Sequence, residues 1–295
     1  MSGGGPLIDL GNLSQPATTL INRVSDAVGG IAKPWQMKRV ARAEAEVEEI
    51  KAATHLKLQE QEERALHRMI ADETRKQENI ENITYQAASN VGEDAKPDQI
   101  EEDWLNHFFD KSKNVSDAEM QSMWAKLLSG EASQPGSFSK RSIDLVGALD
   151  KRDAQLFTKF CTFACVVGGL TPIVFNEHDD IYTNMGIDFE SMHHLDDLGL
   201  IHFQSVGGYK KNNIPRYFAI HYFSTPLILE FQKDKNELEI GKALFTKVGQ
   251  ELAPISGPVP SGEFLQYMVD KLVEKQIAVS STLAAKAKWV AVNKG

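Results

Sequence analysis

The sequence predicts a mainly α-helical protein with a smaller α+β part: a long, charged, coiled-coil-like helix near the N-terminus, a central helical bundle, and a C-terminal winged-helix-like module. Three observations carry this. Between Trp35 and Asn90 there is neither proline nor glycine, and the run is rich in Ala, Glu, Lys, Arg and Gln, the strongest helix formers. From about residue 96 to 170, aromatic and aliphatic residues recur three and four apart between capping signals. Beyond residue 170, short apolar runs alternate with Gly-rich turns, the mark of strands mixed with helices. The expected division is a leader with a short basic amphipathic helix (1–34), the long helix (35–95), a helical core (96–170), the winged-helix-like part (171–276) and a tail (277–295).

The 295 residues suffice for one large or two smaller cores. A net charge of −9 gives the chain as a whole no electrostatic reason to seek nucleic acid. Cys161 and Cys165, the only cysteines, lie four apart in an apolar run and read as buried thiols of a reducing compartment. The start MSGGGPLIDLGN has no charged segment followed by an apolar one, and no run approaches ~18 apolar residues. The expectation is therefore a cytoplasmic protein, with a peripheral membrane position as its variant.

In the leader, Pro16 opens a helix whose face carries Leu20, Ile21, Val24, Val28 and Ile31, and Gly29-Gly30 interrupts it. Arg23, Lys33, Lys38, Arg39 and Arg42 outnumber Asp9 and Asp26 over residues 1–42. With Trp35, this basic amphipathic stretch is a candidate docking element, first for its own protein or a neighbouring subunit and second for a membrane surface. The long helix has a thin stripe: Val40, Ala43, Val47 and Ile50, then Leu66, Met69 and Ile70. So little apolar surface cannot build a core, so the helix needs ion pairs along its own length or a partner helix. Those seven residues are the candidate oligomerisation contacts, and the chain is expected to be a homo-oligomer.

In the core, Asp98 is expected to cap a helix bearing Ile100, Trp104, Leu105, Phe108 and Phe109. Ser116 with Glu119 forms an S-x-x-E capping box for the next, which carries Met120, Met123, Trp124, Leu127 and Leu128 and stops at Gly130. A third helix holds Ile143 to Leu149. Asp150 or Asp153 caps a fourth, running through both cysteines to Val167 and ended by Gly168-Gly169. Further on, Pro172–Phe175 reads as a strand and Phe189–Leu198 as a helix. A strand at Ile201–Phe203 and another at Arg216–Phe223 form a hairpin whose tip carries Lys210 and Lys211. Strands at Leu227–Phe231 and Leu238–Ile240 follow, then helices over Ala243–Leu252 and Phe264–Val273.

Signatures of catalysis are sparse. There is no phosphate loop, no G-x-S-x-G and no cysteine nucleophile motif. His193 and His194, with His178 in an acidic loop, are weak metal candidates, and an exposed helix face flanking a buried leucine is the favoured reading of His193 and His194. No metal and no cofactor is expected, and an enzyme is not the first reading. The winged-helix-like part offers Lys210, Lys211 and Arg216 to a nucleic acid or protein partner, yet its helix reads DFESMHHLDDLGL, which is acidic, so nucleic acid is an improbable partner.

The segments LINRVSDAVGGIAKPWQMKRVARAEAE, WLNHFFDKSKNVSDAEMQSMWAKLLSGEASQPGSFSKRSIDLVGALDKRDAQLF, HLDDLGLI and ALFTKVGQELAPI resemble a bacterial family known as a domain of unknown function (DUF2806), over most of the chain. The specific part is Trp124, Ala125, Leu127 and Leu128 followed by Gly130, Pro135, Gly136, Ser137 and Phe138. A W-A-x-L-L helix after an Ala/Glu-rich leader is also similar to the abortive-infection alpha proteins of bacterial phage defence. That similarity implies a non-enzymatic defence component that assembles, senses a phage or host component, and works with a protein partner or co-encoded effector. A transcriptional or signalling regulator and a metal-dependent enzyme are the alternatives.

Overall fold

A computed structural model describes residues 13–29 and 60–281. The chain divides into two units, Met1–Ala148 and Leu149–Gly295, and the whole is a mixed α and β structure with ten α-helices among the described residues.

In the first unit, α1 (Gln15–Val28) starts where Ser14 Oγ accepts the Ala17 N–H and Pro16 occupies the first turn; Gly29 ends it in the left-handed region at φ 80°. α2 (Glu60–Asn90) lies within the segment expected to form the long charged helix. A 3-10 turn (Pro97–Gln99) leads to α3 (Glu102–Ser112), followed by α4 (Ala118–Ser133) and α5 (Lys140–Ala148). Two expected caps shift. Asp98 lies within the 3-10 turn, and α3 begins after Glu101. Asp117, not Ser116, caps α4, accepting from the Glu119 and Met120 N–H groups. An aspartate oxygen outcompetes the neighbouring hydroxyl as an acceptor, since it carries charge toward the positive helix end. Ser116 instead accepts from Asn79 Nδ2 at 3.2 Å.

Packing in this unit centres on α4. Trp124, Leu127 and Leu128 are fully buried, and the Phe108 ring meets Trp124 edge-on at 5.1 Å. The second half of α2 lies along α4. Their join includes a polar knot: buried Asn79 donates to Lys113 O at 2.9 Å, and Gln121 Nε2 donates back to Asn79 Oδ1 at 3.0 Å. Gly130 does not stop α4. It sits inside the helix because the Phe138 ring lies where a side chain would be, 2.7 Å from an added Cβ.

The second unit opens with α6 (Lys151–Cys161). Both expected caps serve it: Asp150 accepts from the Arg152 and Asp153 N–H groups, and the Asp153 carboxylate accepts the Asp150 N–H, a reciprocal capping box. The helix ends at Cys161 rather than Val167. Ala164–Val166 is a strand, β1, paired with β2 (Leu170–Pro172), and Gly168-Gly169 turns between them. Only the Gly168 backbone, at φ 68°, supplies that reversal. The expected strand at Pro172–Phe175 thus falls earlier, at Leu170–Pro172.

Helices α7 (Asp180–Thr183) and α8 (Phe189–Asp197) precede β3 (Ile201–Phe203), β4 (Tyr209–Ile214), β5 (Tyr217–Tyr222), β6 (Thr225–Glu230), β7 (Asn236–Gly241) and β8 (Ala243–Phe245); α9 (Lys247–Leu252), α10 (Gly262–Glu274) and β9 (Ala278–Ser280) complete the unit. One sheet runs β2-β1-β5-β6-β9, and β3-β8 and β4-β7 are separate pairs. The hairpin expected between β3 and β5 does not form, because β3 pairs with β8 and β5 with β6. Ala243–Phe245, expected as the start of a helix, is the strand that takes this place. Thr246 then caps α9 by accepting the Gly249 N–H. Phe264, Met268 and Leu272 of α10 are buried, with the Met268 sulfur 3.5 Å from Cys165 Sγ and Phe264 against Tyr222.

Candidate functional site

The long helix changes character along its length. From Gln61 to Glu78 every residue is exposed or half-buried, whereas Asn79, Ile80, Glu81, Ile83, Thr84, Tyr85, Ala87 and Ala88 are buried. The unburied part carries the second apolar patch, with Leu66 and Ile70 half-buried and Met69 62% exposed. Its remaining order comes from charge. Lys76 Nζ lies 2.7 Å from Asp72 and 3.5 Å from Glu73, and Arg75 also pairs with Asp72. The Lys76 hydrogen bond holds the Asp72 carboxyl below its ordinary value, and Asp72 in turn raises the Lys76 ammonium. Exposed pairs of this kind stabilise a helix only slightly. The arrangement is a solvated, ion-paired helix offering one small apolar patch. Val40, Ala43, Val47 and Ile50, its expected companions, lie outside the described residues.

The docking residues divide as well. Leu20 and Val24 are fully buried as α1 packs on α2, α3 and the 3-10 turn, and Arg23 Nη2 donates to Ile100 O at 2.8 Å. The apolar stripe of α1 is thereby taken up within its own unit; Ile21 and Val28, on its flanks, are half-buried. Ile31, Trp35, Lys38, Arg39 and Arg42 lie outside the described residues. No described helix is long and apolar enough to cross a membrane.

The three basic residues expected to contact a partner, Lys210, Lys211 and Arg216, each engage a group of the chain itself. Lys210 Nζ pairs with Glu237 at 3.1 Å, and Lys211 Nζ donates to Val167 O at 2.6 Å. Arg216 pairs with Glu230 at 3.0 Å and lies over the Tyr217 ring, 5.2 Å from its centre. Lys210 and Lys211 are in β4, a strand paired with β7, and not at a hairpin tip.

The histidines do not converge. His178 is exposed in the turn before α7; His193 stacks edge-on between Phe189 (4.6 Å) and Phe203 (5.1 Å); His194 Nε2 lies 2.7 Å from Asp153 Oδ1. Among the described residues no group of three or more His, Cys, Asp or Glu is placed to hold a metal. His194 and Asp153 border an open cleft with Asp150, Arg152, Gln155, Leu156 and Lys159. Its carboxylates have a local task, since Asp150 and Asp153 cap α6. The Asp153 N–H bond is the main cause that holds the Asp150 carboxyl below its ordinary value.

One constellation went unread in the sequence. Glu131, buried on α4, accepts the Gly136 N–H on one oxygen at 2.6 Å and the Phe138 N–H on the other at 3.0 Å. Burial pushes its carboxyl up, against the pull of those N–H donors. Trp104 Nε1 donates to Phe138 O at 2.8 Å, so Phe138 is held at both ends of its backbone. The stretch Gly130 to Phe138 is thus a clamp that folds the α4–α5 loop onto the bundle. An E-x4-G-x-F spacing was the available signal, but nothing local marks that glutamate as buried.

A family model described as "Protein of unknown function (DUF2806)" matches residues 63–269. No curated protein and no solved structure matches the chain.

Proposed function

As the chain belongs to the DUF2806 family, we propose that it is a non-enzymatic binding component that assembles through the unburied part of α2, in an abortive-infection-like response to phage. One observation carries the reading: a helix buried from Asn79 onward continues for eighteen residues, Gln61 to Glu78, without burying any of them. Most helical stability in proteins comes from packing an apolar face, so a segment that buries none of its residues gains by acquiring a partner. The patch of Leu66, Met69 and Ile70 is where a second helix would seat, and Val40 to Ile50 would extend it.

The defence role rests on the similarity of the Trp124–Leu128 helix to abortive-infection alpha proteins. The second unit is the proposed sensor of a phage or host component. Pairing of Lys210, Lys211 and Arg216 within the chain weighs against the regulator that would use them on a duplex. The scattered histidines offer the metal-dependent enzyme no support.

The test replaces Leu66→Asp with Ile70→Asp in the full chain and measures mass by light scattering. A wild-type multimer that falls to a lower mass in the variant supports the reading. A mass unchanged by the pair removes α2 as the assembly element. Phage plating on cells carrying either form then reads the defence role separately.

A further inference from the structure

The apolar patch of α2 lies on the same helix face that packs against α4. A helix repeats its orientation after eighteen residues, about five turns at 3.6 residues each. Leu66, Met69 and Ile70 therefore project in the directions of Thr84, Ala87 and Ala88, all three of which are buried. α4 begins beside Asn79, where Gln121 meets it, and packs along α2 from there. Between Gln61 and Glu78 no residue is buried. The patch thus continues an existing helix–helix interface past the point where α4 stops.

Charge limits what can seat there. Glu62 lies four residues before Leu66 and Glu73 four after Met69, on the same face, and both are exposed. In the packed half, the direction of Glu62 is taken by Ile80, which is buried. A second α2 centred on the patch meets these acids whichever way it runs. Parallel and in register, Glu62 faces Glu62 and Glu73 faces Glu73; antiparallel about the patch, Glu73 faces Glu62. Lys76 is 3.5 Å from Glu73 and closer, at 2.7 Å, to Asp72, so it offsets only part of this charge.

We propose that two copies pair through this face, resting on the assembly reading of α2 above, and that Glu62 and Glu73 make the strength of pairing depend on ionic strength. Like charges brought into apposition oppose association. Between exposed groups that repulsion fades as the screening length falls from about 10 Å at 0.1 M salt to about 3 Å at 1 M. Apolar contact among Leu66, Met69 and Ile70 does not depend on charge. Pairing is therefore loose in dilute salt and tight in concentrated salt, the reverse of an interface held by ion pairs.

The test measures the dissociation constant of the full chain by sedimentation equilibrium at about 0.05 M and about 0.5 M NaCl. The wild type is expected to pair about threefold more tightly at the higher concentration. Glu62→Gln with Glu73→Gln should pair about threefold more tightly than the wild type in dilute salt, with most of the salt response gone. Since some salts also strengthen apolar contact, the glutamine variant separates the two effects. Pairing that weakens with salt, or that the glutamines leave unchanged, overturns the proposal and leaves α2 as the assembly element. Pairing that survives Leu66→Asp with Ile70→Asp removes α2 itself. A wild type and a glutamine variant that both stay single at both concentrations overturn the two together.

Discussion

Glu131 and Phe138 are joined by a carboxylate oxygen that accepts the Phe138 N–H at 3.0 Å, seven residues along the chain. The same carboxylate holds Gly136, so one side chain satisfies two backbone donors that the loop has withdrawn from water. Replacing it by alanine leaves both without an acceptor. Glu131→Ala is expected to destabilise the protein by about 2–4 kcal/mol, read as a lower denaturant midpoint.

The pH dependence of that clamp has a definite sign. Burial raises the folded-state pKa of Glu131 above its unfolded value. A raised acid contributes stability that is fully present below the unfolded pKa and is lost as pH rises through the folded one. Glu131→Gln cannot ionise and lacks this loss. The variant should therefore improve relative to the wild type as pH rises above the ordinary carboxylate value, and an unchanged difference between the two midpoints would show that the carboxyl is not desolvated.

Leu20 is a sensitive handle on α1. It is fully buried, and Leu20→Ala is expected to cost about 2–5 kcal/mol. Amide exchange across Gln15–Val28 should accelerate with it. If exchange there is fast already in the wild type, α1 is not docked in solution.

Gly241 closes β7 at φ 111°, with Val174 O only 2.0 Å from where a Cβ would stand. Gly241→Ala combines backbone strain with a clash against main chain that cannot yield. A loss of about 2–5 kcal/mol is expected, whereas Gly136→Ala meets no neighbour and incurs only the strain of its φ of 84°.

Burial raises the thiols of Cys161 and Cys165 to about 12. Neither should react with a disulfide reagent at pH 8 in the folded protein, and both should react in denaturant. Rapid reaction of one thiol in the native state would mean that α6 or β1 opens.

The helices of the first unit were legible because each carries its own period. Phe108 and Trp124 recur with their neighbours at three- and four-residue spacing, and the aspartate and serine signals lie within three residues of the true caps. The strands were harder. Ala164–Val166 follows α6 without any break in apolar character, and an unbroken apolar run has no period to tell strand from helix. Ala243–Phe245 is a strand only because Ile201–Phe203, some forty residues earlier, lies beside it, and pairing at that distance leaves no local mark. The same holds for the candidate sites. Lys210 and Lys211 are legible as charges, but their engagement by Glu237 and Val167 O depends on a fold that brings those groups near. Glu131 looks like any charged residue on a helix until the loop after it folds back.

The division of α2 has a mechanical consequence. With its C-terminal turns held against α4 and Gln61–Glu78 unburied, the helix acts as a lever with an unburied arm of roughly 27 Å at ~1.5 Å per residue. A tilt of about 5° at the support would swing the tip by roughly 2 Å, and the ion pairs at Asp72, Glu73, Arg75 and Lys76 resist bending along the way. A displacement of the Asn79–Gln121 knot too small to disturb the bundle would thus arrive at the Gln61 end of the helix magnified.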